Sequence, residues 1–65
     1  MRTAIVGGWG AVERLAKIWD PAATVEEIEI RLWVVRVEGR PIGMIGKEPW
    51  TAEGVRSRAE EEDCT

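Results

Sequence analysis

The residues of this chain best suited to chemistry are the glycines of Gly7-Gly8-Trp9-Gly10, which follow a short apolar run, Thr3 to Val6. Nucleotide-binding folds hold phosphate with a strand, a glycine-rich turn and a helix, because backbone N–H groups at the helix N-terminus point at the anion. Gly8 and Gly10 match the first two glycines of G-x-G-x-x-G, but the third position is the carboxylate Glu13. We therefore interpret the segment as a strand-to-helix connection, and keep a remnant of a nucleotide-binding fold as an alternative.

Other catalytic chemistry lacks its usual side chains. There is no His, the commonest general base and metal ligand, and the single cysteine, Cys64, provides neither an intrachain disulfide nor a four-ligand zinc site. No hydroxyl side chain has a plausible base beside it in the sequence: Thr3, Thr24, Thr51, Ser57 and Thr65. We predict no enzyme activity, no catalytic residue, no metal and no cofactor, and we expect Cys64 to be a free thiol in a reducing compartment.

Charge is distributed unevenly along the 65 residues, whose net charge is −3. Residues 48–65 hold two basic and six acidic side chains, a net of −4, which leaves +1 for residues 1–47. A general nucleic-acid binder needs a clear basic excess. The charge balance therefore disfavours that function.

The length predicts one small domain, residues 1–60, followed by an acidic, frayed tail, residues 61–65. A domain of this size buries only about 60% of the surface that its unfolded chain exposes. Small domains compensate with disulfides, metals or self-association, and only self-association is open here, so we predict a homodimer. No apolar run approaches the ~20 residues of a membrane span, and residues 1–8 do not resemble a signal peptide. We expect no membrane association and a cytoplasmic location.

The hydrophobic pattern predicts an α+β fold with the order β-α-β-β-α and a small antiparallel sheet. A strand is predicted at residues 3–6, and a hairpin at about residues 28–37 and 41–47. Two helices, at about residues 10–19 and 51–61, are expected to pack on the sheet. The first helix presents one apolar stripe at helical spacing, formed by Ala11, Val12, Leu15, Ile18 and Trp19.

The register of the hairpin decides which side chains share a face. A two-residue turn at Glu38-Gly39 places Trp33 opposite Met44, and Pro41 suggests an edge strand. One face then carries Trp33, Val35, Val37, Ile42 and Met44, and the other carries Ile28, Ile30, Leu32, Val34 and Ile45. One helix covers one face only, so the second needs the last helix or another chain. We assign to self-association Trp33, Val35, Ile42 and Met44.

The stretch from Trp33 to Gly46, W-V-V-R-V-E-G-R-P-I-G-M-I-G, resembles the central hairpin of the acetyl-CoA-dependent N-acetyltransferase superfamily. In that superfamily an apolar strand, an acidic-Gly turn and a returning strand of the type P-I-G-M-I recur. The resemblance implies a similar local hairpin. It supports no transferase activity, because Lys47-Glu48-Pro49-Trp50 follows and the glycine-rich pyrophosphate loop of the superfamily is missing. A remnant of an acetyl-CoA-binding fold joins the nucleotide-binding alternative.

The aromatic side chains of the chain are four tryptophans: Trp9, Trp19, Trp33 and Trp50. Trp19 and Trp33 lie on apolar stripes and are expected in the core, whereas Trp9 and Trp50 have no obvious core position. Tryptophan is enriched at interface hot spots because it buries a large area. We predict that Trp9 and Trp50 anchor a partner, and that a charged rim is formed by Arg36, Arg40 and Lys47.

The function predicted on these grounds is a small non-enzymatic interaction protein that binds a macromolecular partner, a protein of unknown identity, and regulates or inhibits it. Small acidic proteins without cofactor ligands are frequent among the inhibitors encoded by phages and mobile elements, which gives the hypothesis one concrete form. A nucleic-acid-binding hairpin is the alternative, because a two-stranded ribbon can enter a major groove. Its basic residues are Arg31, Arg36, Arg40 and Lys47.

Overall fold

The computed structural model describes residues 1–63, which form four strands and two helices in the order β-α-β-β-β-α. The elements are β1 (Arg2–Val6), α1 (Trp9–Trp19), β2 (Thr24–Glu29), β3 (Leu32–Val37), β4 (Arg40–Lys47) and α2 (Ala52–Asp63). The predicted α+β class is confirmed. The first strand, both helices and the returning strand of the hairpin begin within about one residue of their predicted positions, well inside the usual uncertainty of element ends.

The single strand predicted over residues 28–37 is wrong. A turn at Ile30-Arg31 divides it, and the part before the turn belongs to β2, which begins at Thr24. Arg31 has a φ of 61°, and its backbone N–H donates a hydrogen bond to Glu27 Oε2 at 3.1 Å. Apolar and polar residues alternate straight through this turn, and no Gly, Pro, Asn or Asp interrupts them, so periodicity could not reveal it.

The sheet is mixed, with the strand order β1-β4-β3-β2. β2, β3 and β4 pair antiparallel, but β1 pairs parallel with β4, from Arg2 opposite Gly43 to Val6 opposite Lys47. The prediction of a wholly antiparallel sheet is therefore wrong for β1. β4 is also a central strand and not the predicted edge strand. Pro41 is tolerated there because the pairing with β1 begins only at Gly43, which leaves Pro41 without a neighbour on that side.

A β-bulge in the hairpin of β3 and β4 overturns the predicted register. Val35 lies opposite Gly43 instead of Ile42, so β4 holds one residue more than the two-residue turn predicts. A one-residue shift sends the following side chains to the opposite face of the sheet. Met44, which was predicted to share a face with Trp33, consequently lies on the other side.

Each face of the sheet is covered by a helix of the same chain. The core under α1 is formed by Val12, Ala16, Ala23, Trp33, Val35 and Ile45. The core under α2 is formed by Leu32, Val34, Met44, Val55 and Ala59. We call these two sides of the sheet the α1 face and the α2 face.

The four residues assigned to self-association do not form a surface for a second chain. Trp33, Val35 and Met44 are buried, and Ile42 is half-buried against the core of the α1 face. The prediction of one shared, uncovered face is wrong, because the bulge separates Met44 from the others and both faces have their own helix. An uncovered apolar face of the hairpin therefore no longer supports a homodimer. Self-association through another surface stays a prediction.

The second helix begins at the predicted cap and ends later than predicted. The N–H of Gly54 donates to Thr51 Oγ1 at 3.0 Å, which is the bond expected of an N-cap threonine. The helix continues to Asp63, so residues 61–63 of the predicted frayed tail are helical. Residues 64 and 65, with the predicted free thiol of Cys64, lie outside the described residues. In residues 1–63, neither helix combines the length and apolarity that crossing a membrane requires.

Candidate functional site

The five residues predicted to bind a partner lie at opposite ends of the sheet. Lys47 is the last residue of β4, and the N–H of Trp50 donates to its carbonyl oxygen at 3.1 Å. Trp9 begins α1 at the same end. Arg36 and Arg40 lie beside the turn between β3 and β4, at the far end of β4. The predicted charged rim therefore does not surround a single site.

Trp9 is the tryptophan that the fold leaves accessible, with 57% of its surface exposed. Its ring meets the ring of Trp33 edge-on, with the centroids 5.2 Å apart and the planes at 87°. Lys47 Nζ lies 5.3 Å from the centroid of the Trp9 ring, within the range of a cation–π contact. These two contacts hold an exposed ring in one orientation, so a partner that covers it pays little ordering entropy.

Trp50 has the core position that the sequence did not reveal. Its half-buried ring packs against the core of the α2 face, opposite the face that carries Trp9. Its indole N–H donates to the carbonyl oxygen of Ile30 at 2.8 Å, which ties the segment after β4 to the turn between β2 and β3. The ring and its polar atom are both engaged within the fold.

Two adjoining clefts follow the seam between α1 and β2. The first, of about 170 Å³, is lined by Trp9, Gly10, Val12, Glu13, Val25 and Trp33. The second, of about 250 Å³, is lined by Glu13, Ala16, Lys17, Ala23, Thr24 and Val25. Glu13 and Val25 line both clefts, so the two adjoin each other, and together they are called here the α1–β2 groove. Trp9 lies at one end of the groove.

Glu13 is a carboxylate in this groove without a partner among residues 1–63. Its spacing from Lys17 on the helix favours an ion pair. Lys17 Nζ instead donates to the carbonyl oxygens of Pro21 and Ala23, at 3.3 and 2.9 Å. The lysine therefore satisfies carbonyl oxygens after the C-terminus of α1, where the helix dipole favours a cation. Glu13 consequently remains available to a cation from outside the chain.

Sequence reasoning missed Glu13 and Val25 as parts of a site. The available signal was the spacing of four residues between Trp9 and Glu13, which places both on one side of a helix. Val25 gave no signal, because its contribution depends on β2 lying at the sheet edge beside α1. Ile18 was assigned to the apolar stripe of the first helix, but it is 73% exposed.

The glycines at the start of α1 form the predicted strand-to-helix connection. Gly8 is the N-cap residue of α1, with extended backbone and no side-chain cap bond. A Cβ added at Gly7 or Gly8 would meet no atom within 4 Å. Glu13 lines the cleft next to Trp9. The nucleotide- or acetyl-CoA-binding alternative stays a prediction.

Comparison of the chain with protein-family models, with curated proteins and with solved structures finds no match. The resemblance of the hairpin to N-acetyltransferases consequently gains no support from a family model, although the hairpin itself is present as β3 and β4.

Proposed function

We propose that this chain is a non-enzymatic interaction protein that binds a protein partner through Trp9 and the α1–β2 groove, and thereby regulates or inhibits that partner. The observation that carries the proposal is a tryptophan with 57% exposure that is nevertheless held by Trp33 and Lys47. Exposed, ordered aromatic rings are the side chains that most often dominate binding energy at protein interfaces.

The open shape of the clefts supports a macromolecular ligand over a small molecule. Pockets for drug-sized ligands have volumes of roughly 300–1,000 Å³ and enclose most of the ligand. The clefts beside Trp9 and Lys17, of about 170 and 250 Å³, are each about half open to solvent, so neither encloses a ligand. Each accepts a side chain, and the groove that they form together accepts a short stretch of polypeptide.

The position of the basic residues makes nucleic acid the weaker candidate. Arg36 is engaged with Glu26 Oε1 and with the carbonyl oxygen of Gly39, each at 3.3 Å, and it lies at the other end of the sheet from Lys47. A nucleic-acid site needs several cations along one face to neutralise phosphates. A gel shift with mixed DNA and RNA at low salt tests this alternative, which requires a salt-sensitive complex.

The proposal is tested by quantitative pull-down from a lysate of the host, comparing wild type with Trp9→Ala. Replacing an interface tryptophan costs 2 kcal/mol or more at a hot spot, which is about a thirty-fold loss of affinity. We expect at least one protein to be recovered by wild type and strongly depleted with Trp9→Ala.

Ile18→Ala is the matched control, because Ile18 is an exposed apolar residue on the same helix. It should recover the same partner as wild type. Amide NMR spectra establish that each variant is folded before the comparison is made. Equal recovery of every protein by wild type and by folded Trp9→Ala would contradict the proposal.

A further inference from the structure

We infer that the α1–β2 groove binds an extended, basic segment of the partner, which adds to β2 as a fifth strand and places one Lys or Arg side chain in the cleft lined by Trp9, Trp33 and Glu13. This inference rests on the proposed function and specifies the chemistry of the partner. Its elements are the free edge of β2, the charge of that edge, and the composition of the cleft beside Trp9.

β2 is an edge strand beside which a groove is already formed. It pairs with β3 on one side, and no strand of residues 1–63 pairs with it on the other. Thr24 and Val25 of this strand line the groove, and α1 forms the opposite wall. An edge strand next to a helix-walled groove is the arrangement in which an extended peptide adds to a sheet, with backbone bonds for affinity and pockets for alternate side chains.

The carboxylates of β2 make this edge negative, and Glu13 on the facing helix α1 adds to that charge. Glu26 pairs with Arg36 at 3.3 Å, and Glu29 pairs with Arg58 at 3.0 Å. Glu27 accepts the backbone N–H of Arg31. Glu13, which lines both clefts, has no such partner among the described residues. A partner segment without a cation would remove water from the Glu13 carboxylate without replacing it by an ion pair, which is energetically unfavourable.

The cleft beside Trp9 combines the two groups that recognise a cation. The rings of Trp9 and Trp33 provide aromatic surface, and Glu13 provides the carboxylate. A lysine or arginine side chain gains from both, through a cation–π contact and a charge-assisted hydrogen bond. Lys47 lies over the Trp9 ring but does not line this cleft, so the cleft has a net negative charge.

The test uses a displayed library of random peptides, panned on the wild-type chain, with synthetic copies of the enriched sequences for affinity measurements. We expect enrichment of Lys or Arg next to β-branched residues. Glu13→Gln should weaken the selected peptides about ten-fold, because the amide keeps an acceptor oxygen but removes the negative charge that strengthens the bond to Lys or Arg. Glu60→Gln on α2 is the matched control, since Glu60 is also an exposed helical carboxylate, and it should leave affinity unchanged.

Strand addition is tested separately by N-methylation of the peptide backbone. A peptide paired with an edge strand uses the N–H groups of alternate residues, so methylation at one alternate set should abolish binding and at the other should not. The affected amides of the protein, followed by NMR, should be those of Thr24–Glu29. Equal tolerance of methylation at both sets would overturn strand addition.

The outcomes separate this inference from the proposed function. Peptides that need Trp9 but lack basic residues and ignore Glu13→Gln would overturn the inference and leave the proposed function intact. A library that yields no binder would overturn the inference alone, because the pull-down tests the proposed function independently. Selected peptides that bind Trp9→Ala as well as wild type would count against both.

Discussion

The two faces of the sheet are covered by helices of very different composition. On the α1 face, the helix is amphipathic, and its own Trp19 packs with Trp33 of β3 in the core of that face. Each helix contributes two buried apolar side chains among those described, but α1 adds the half-buried Leu15 and Trp19, whereas α2 adds none to Val55 and Ala59. Yet the strand residues beneath α2 are fully buried: Leu32, Val34 and Met44.

Glycines in β4 allow both helices to pack closely against the sheet. A Cβ at Gly43 would lie 2.5 Å from Trp19 Cζ3, and a Cβ at Gly46 would lie 2.6 Å from Val55 Cγ2. The α1 face uses its glycine to seat a large ring, and the α2 face uses its glycine to admit a small side chain close to the sheet. Burial therefore depends on how near the backbones approach and not on the hydrophobicity of the helix alone.

The margins of the two helices differ in chemistry as well. The groove beside α1 holds aromatic rings and an unpaired carboxylate. The cleft between α2 and β1 is lined by Met1, Thr3, Arg56, Ala59 and Glu60, with no aromatic ring. The comparison indicates that α2 mainly completes the core, whereas α1 also borders the groove at which we propose that a partner binds.

The largest expected effect is that of Met44→Ala. Met44 is fully buried on the α2 face, so its truncation should cost about 2–5 kcal/mol. A domain this small has a total stability of roughly 3–5 kcal/mol, so the variant should be largely unfolded in urea titrations. Ile42→Ala, at a half-buried site, should lower the free energy of unfolding by less than Met44→Ala. Equal losses would contradict the bulged register.

Gly46→Ala should have the next largest effect, lowering the free energy of unfolding by about 1–3 kcal/mol through overpacking. The added methyl group meets Val55 Cγ2 at 2.6 Å and Trp50 Cβ at 3.0 Å. Gly7→Ala is the control, because its added Cβ meets no atom within 4 Å. The measurement is the urea midpoint at constant slope. A Gly46→Ala variant as stable as Gly7→Ala would mean that α2 packs less closely than described.

Trp50→Phe should have a smaller effect, about 1 kcal/mol, because it keeps an aromatic ring and removes the hydrogen bond to the carbonyl oxygen of Ile30. Thermal unfolding by circular dichroism measures it. The same variant should retain every partner that wild type recovers. Loss of a partner at unchanged stability would restore Trp50 to the partner-binding residues first predicted.

The smallest expected effect is that of Ile18→Ala, within about 0.5 kcal/mol, because the side chain is 73% exposed. Leu15→Ala on the same helix should cost more, since Leu15 packs against the core of the α1 face. Urea titration of the pair measures the difference. A larger loss at Ile18 than at Leu15 would show that the apolar stripe faces the sheet as the sequence pattern suggested.

The candidate site was only partly predictable. Trp9 and Lys47 were identified by composition and position, and they do meet. Their separation from Arg36 and Arg40 could not be foreseen, because it depends on where each residue falls along β4 and β3. Glu13 was set aside as a departure from a glycine motif, and its importance follows from Lys17 turning to the carbonyls after the helix.

Local patterns were sufficient for the class of the fold, for both helices and for the cap at Thr51, because these features depend on side-chain spacing and on bonds between near neighbours. The turn at Ile30-Arg31, the bulge between the pairs Val35–Gly43 and Arg36–Pro41, and the parallel pairing of β1 with β4 required the folded molecule. Each depends on contacts between distant segments, and a shift of one residue there reverses which side chains meet. For that reason the alternation of apolar residues in the hairpin showed that two apolar faces exist, and only the assembled sheet showed that the chain covers both.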